Sequence, residues 1–205
     1  MSQTTTLNDK SAAAETIAVI MPPNWWAIKL GDTGAVKARI RDIAVRRLGR
    51  EEKYAQARAE IRRDLEQGCA AATDLGFTQV VVFAMDIADI SVTGSMMNRV
   101  NSAVEADSAD QLSEAIQRSM PQASVSNESF AGGWLVRSVT ETPLRRIDSA
   151  GKPMLPELRV HYWVYKHDLG CVVEYVFMTP FIPLKDALLE MFDYVSLSIH
   201  HPVRG

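Results

Sequence analysis

Cysteine is scarce: Cys69 and Cys171 are the two in 205 residues, and neither belongs to a CxxC pair. So small a number excludes a disulfide framework and thiolate-rich zinc sites, and leaves two buried free thiols as the expectation. Histidine is nearly as sparse, at four residues. No HExxH, DxDxDG, GxxxxGKS/T or GxGxxG pattern occurs, so no metalloprotease helix, calcium loop or phosphate cradle is written in the chain. No apolar run approaches the roughly 18 residues of a membrane-spanning helix. The opening MSQTTTLNDKSAAAE has no basic stretch followed by an apolar one, so no secretory leader is expected and the cytoplasm is the expected compartment. Net charge is −3, too small to draw the whole chain to nucleic acid or a membrane.

What remains is an ordinary globular composition, 47% hydrophobic and 23% charged. Residues 1–14 are small, polar and aperiodic and read as a disordered tail. Residues 15–205 read as one domain. ETIAVIM (15–21) and WWAIKL (25–30) read as strands broken by Pro22 and Pro23, which cannot donate to a ladder. Val36, Ile40, Ile43 and Ala44 share a helical face that ends at Gly49, a position suited to a left-handed cap. Tyr54, Ile61, Leu65, Cys69 and Ala72 form the stripe of a second helix, interrupted by Arg58 and stopped at Gly76. Arg58 is expected to lay its stem on apolar surface and its head in water.

From Phe77 the period shortens. FTQVVVFAMDI and ISVTGSMMNRV predict a strand pair. Ser108 and Gln111 form a capping box for a short helix that ends before Pro121. SVSNESF and GWLVRSVTET pair through Ala131, Gly132 and Gly133. ELRVHYWVYK and CVVEYVFMTP form a hairpin turning at residues 167–170. PLKDALLEMFDYV is a closing amphipathic helix with Pro183 just inside its start, and SLSI a last short strand. The fold class is therefore α+β, a single mainly antiparallel sheet flanked by helices.

These landmarks together resemble the Mog1/PsbP-like family. The shared features are Pro22 or Pro23 ahead of Trp25, a Ser-capped short helix (108–119), a run of antiparallel strands, and the ending FMTPFIPLKDALLEMFDYVSLSI (177–199), with its TP and FD pairs. The helical region between Val36 and Gly76 is longer than the family pattern. The resemblance implies a binding or scaffolding domain without catalytic apparatus of its own.

No residue set composes an active site. His167 and Cys171 stand on one hairpin, but a turn histidine and a strand cysteine explain them. His161 sits mid-strand, and the adjacent His200 and His201 project oppositely if extended. Asp86 and Asp89 suit a turn. No catalytic residue, metal or cofactor is therefore assigned.

Charge is uneven in one place. Lys37, Arg39, Arg41, Arg46, Arg47 and Arg50 face only Asp42 in that stretch. A solvated helix face is the ordinary explanation; an acidic protein surface is the functional one, ahead of nucleic acid or lipid. Trp25 and Trp26, extended, point to opposite faces, so one serves the core and the other is the candidate anchor for a partner. The partner-binding set is thus Trp25, Trp26, Arg39, Arg46, Arg47 and Arg50. The alternative function is a small-molecule or lipid binder, with a pocket between sheet and helices lined by Met85, Met96, Trp163 and Tyr175.

Overall fold

The computed structural model describes residues 18–87, 89–101, 108–142 and 155–200. The expected tail over 1–14 lies outside them. Among the described residues, seven strands form one sheet: β1 (Trp25–Lys29), β2 (Gln79–Ile87), β3 (Ile90–Asn101), β4 (Ser124–Phe130), β5 (Gly133–Thr142), β6 (Glu157–Lys166) and β7 (Cys171–Thr179). Their order is β1-β2-β3-β7-β6-β5-β4, and every neighbouring pair is antiparallel. Four α-helices among the described residues accompany it: α1 (Thr33–Leu48), α2 (Ala55–Asp74), α3 (Ala109–Ser119) and α4 (Lys185–Leu197). The α+β class and the antiparallel sheet follow the sequence expectation. No helix among the described residues is long and apolar enough to cross a membrane.

Alternation along each strand divides the apolar residues between two faces. On the first, Phe83, Phe177, Tyr162 and Leu158 pack under α4 through its Leu188, Phe192 and Val195. On the second, Val80, Val82 and Val176 pack under α1 and α2 through Ile40, Ile43 and Cys69. Further along that same face, Val136, Trp134 and Trp163 lie under α3 through Ala109, Leu112 and Ile116. The second face therefore carries two helical covers with a strip of sheet between them.

The helix ends obey local chemistry. Asp32 caps α1 by accepting from the Gly34 and Ala35 N–H groups at 2.7 and 3.0 Å. Ser108 caps α3 by accepting from Gln111 N–H at 3.3 Å. Gly49 has a φ of 77° with a ψ of −177°, a combination open essentially to glycine rather than the left-handed helical one, and its N–H donates to the Val45 carbonyl. Arg58 differs from its expected role. Its Nη1 donates to the Gly49 and Glu51 carbonyls at 2.9 and 2.8 Å, pinning the turn between α1 and α2. Arg58→Ala is expected to cost about 1 kcal/mol, read as a lower urea midpoint.

Two expected strands are not seen as strands among the described residues. Of ETIAVIM, the described residues contribute one antiparallel bridge, Ala18 to His200. SLSI is no strand either, because α4 runs to Leu197 and Ser198 turns its hydroxyl to the Ile20 N–H at 3.0 Å. A side chain there takes the place of a ladder partner.

Candidate functional site

Trp25 and Trp26 are separated by the sheet, as alternation requires. Trp25 is buried on the first face, stacked on Phe83 with centroids 4.6 Å apart and edge-on to Phe177 at 6.3 Å. As a contact for a partner it is therefore corrected: the ring is core. Its Nε1 has no hydrogen-bond partner among the described residues, so packing is what holds the indole there.

Trp26 is half-buried against the residues under α1 and α2. Part of its ring lines a groove of about 550 Å³ with Pro22, Pro23, Arg46 and Arg47. Asn24 sets this corner. It adopts a φ of 67°, a conformation asparagine tolerates better than most residues, and its carbonyl accepts from Ala84 N–H at 3.4 Å. The two prolines are thereby turned back beside the last turn of α1. Arg46 and Arg47 are exposed and make no ion pair among the described residues. The acid in the groove is Asp86, which accepts from the Ser91 hydroxyl at 2.9 Å.

The other two arginines of the sequence set stand apart. Arg39 is half-buried, and its Nε donates at 2.8 Å to the Ala27 carbonyl on the outer edge of β1. It ties α1 to the edge strand and occupies one carbonyl of that edge. Arg50 is exposed beyond α1 and does not line the groove. The structure thus brings together Trp26, Arg46 and Arg47.

A second constellation occupies the strip between the helical covers. Glu174, 3% exposed, points from β7 into this strip. Arg99 Nε donates to its Oε2 at 2.5 Å, Asn101 Nδ2 to the same oxygen at 2.9 Å, and His161 Nε2 meets Oε1 at 2.6 Å. Trp163 stacks on His161 at 3.8 Å. Burial alone would raise the Glu174 carboxyl. Hydrogen bonds from His161 and Arg99, and then their charges, bring it from 4.5 down to about 2. Arg99 Nη1 also donates to the Leu75 carbonyl at 2.8 Å, so the network fastens the end of α2 to the middle of the sheet. A carboxylate-oriented histidine suits proton transfer, yet no serine, threonine or cysteine is hydrogen-bonded to His161 among the described residues.

Elsewhere the chemistry is muted. Burial, then Asp168, push the Cys171 thiol up, away from the nucleophilic thiolate. Burial and then Glu66 do the same to Cys69. No three metal-ligating side chains gather among the described residues.

The pocket expected from Met85, Met96, Trp163 and Tyr175 does not exist as a unit. Met96 and Tyr175 are on the first face and Trp163 on the second, with the sheet between them. The Glu174 network had one signal in the sequence, an acid inside the apolar run CVVEYVF; its partners on β3 and β6 became visible only with the strand order.

The chain matches no protein family, no curated protein and no solved structure with which it was compared.

Proposed function

We propose that this chain is a non-catalytic binding domain of the cytoplasm that docks an acidic segment of a protein partner in the Trp26 groove. One observation carries the reading: a half-exposed tryptophan shares a concave surface with two arginines that make no ion pair among the described residues, Arg46 and Arg47. Tryptophan and arginine are the residues most enriched at the energetic centres of interfaces. The remaining exposed cations of α1, Lys37 and Arg41, together with Arg50, extend the positive field around it.

A Mog1/PsbP-like relationship is part of the proposal. What supports it is the work done by the shared FD pair in α4. Phe192 stacks on Phe177 at 4.2 Å, and Asp193 accepts from the Tyr162 hydroxyl at 2.6 Å and from Arg137 Nη1 at 2.7 and 3.0 Å. Both residues lock the last helix to the sheet.

The test is capture of a partner from native lysate, followed by titration of that partner against purified wild type, Trp26→Ala and an Arg46→Glu/Arg47→Glu double variant, each shown to be folded. Trp26→Ala is expected to weaken binding by about 2 kcal/mol, roughly thirtyfold. The charge reversal is expected chiefly to slow association and to remove its salt dependence. A partner that binds all three proteins equally, or whose association ignores salt, would sink the reading.

A further inference from the structure

We propose that the groove at the far end of the first face binds a small monocarboxylate with an apolar body. The strand register places Lys29, Gln79, Asn98 and Tyr175 side by side, one from each of β1, β2, β3 and β7. All four project from the same face, and all four line a groove of about 890 Å³ that α4 leaves open. Its size is that of a small-molecule site, about 300–1,000 Å³. Val100 and Val173 supply apolar floor, and Val19 and Met21 an apolar wall.

A polar row across the inner face of a sheet is out of place in a core. Part of it is satisfied internally: Asn98 Nδ2 donates to Gln79 Oε1 at 2.9 Å. That bond engages the Gln79 oxygen and leaves the two N–H groups of its amide as further donors. Tyr175 is the anomaly. Its residue is fully buried, yet its hydroxyl has no hydrogen-bond partner among the described residues. A buried hydroxyl without a partner lowers stability, and such groups call for an explanation. Burial, then the neighbouring Cys171, push the phenol up, so it remains a neutral donor.

The ligand class follows from what the row offers. The Tyr175 hydroxyl and the Gln79 amide are neutral donors, and Lys29 contributes the positive charge at the rim. Two donors beside an ammonium suit a carboxylate, whose two oxygens accept but cannot donate. The valines and Met21 suit an aliphatic body. A cationic head would leave the Tyr175 proton without an acceptor. This site lies on the opposite face from the bulk of the Trp26 ring, and it is independent of the protein-partner reading.

Octanoate is the probe, titrated by calorimetry into the full chain, with octyltrimethylammonium as its opposite-charge control. One saturable octanoate site is expected, with no binding of the cation. Tyr175→Phe and Lys29→Gln are each expected to weaken octanoate at least fivefold, and Trp26→Ala to leave it unchanged. Without ligand, Tyr175→Phe is expected to melt at or above the wild-type temperature, because it removes an unpaired buried hydroxyl. The proposal is overturned if octanoate fails to bind the wild type, if either variant binds it as tightly, or if the cation binds equally well. It is also overturned if Tyr175→Phe melts well below the wild type, since the hydroxyl would then be serving the fold itself.

Discussion

Trp25→Ala is expected to destabilise the protein by about 3–5 kcal/mol, the range for deleting a large buried aromatic. Trp26→Ala, one residue along, is expected to cost only about 1–2 kcal/mol, since part of its ring stays in water. The difference comes from the pleat. Trp25 is wedged against Phe83 and Phe177, and these in turn contact Phe192 of α4, so its removal opens a cavity inside a continuous aromatic stack. Trp26 closes the side of a groove, where water can fill the space it leaves. Trp25→Phe is a useful third variant. The indole N–H has no acceptor among the described residues, so phenylalanine should recover most of the loss. Urea denaturation with matched slopes reads all three. Equal losses at positions 25 and 26 would contradict the division of the two rings between core and surface.

That division is legible in outline in the sequence, because adjacent residues of a strand must face opposite ways. Which ring lay inside was not, since it depends on what covers each face. The same limit recurs along the chain. The β6–β7 hairpin, the Ser108 cap and the helical face of Val36, Ile40, Ile43 and Ala44 are written in neighbouring residues, and they formed where the pattern put them. The pairing of β3 with β7 joins residues some 75 positions apart, and nothing local specifies it. Both polar constellations depend on that pairing. Arg99 lies opposite Glu174, and Asn98 opposite Tyr175, only because β3 and β7 are neighbours in this register. In the sequence these are a strand arginine, a strand asparagine, an acid and a tyrosine without visible relation. The failure of SLSI as a strand has the complementary cause: its local pattern was strand-like, but the bond its partner needed was supplied by the Ser198 hydroxyl.

Glu174→Gln is expected to cost about 3 kcal/mol at neutral pH, and the cost should vanish on acidification. The carboxyl titrates near 2 in the folded protein and near 4.5 ordinarily, a gap equivalent to about 3 kcal/mol. The folded value is the depressed one, so the contribution is fully present above about pH 4.5 and is lost as pH falls towards 2. The wild type should therefore lose stability over that window more steeply than the variant, until the two curves meet. Arg99 is about a third exposed and also bonds the Leu75 carbonyl, so it is not stranded when the carboxylate goes; Glu174 itself is nearly inaccessible, and the effect belongs to it. The measurement is the urea midpoint of both proteins at intervals between pH 7 and pH 2.5. A gap that stays constant across the acid range would mean that shape, not charge, is what Glu174 contributes to the strip. A gap that closes would make the network an ionic fastening between α2 and the sheet, one that weakens in acid while the aromatic stack on the other face stays intact.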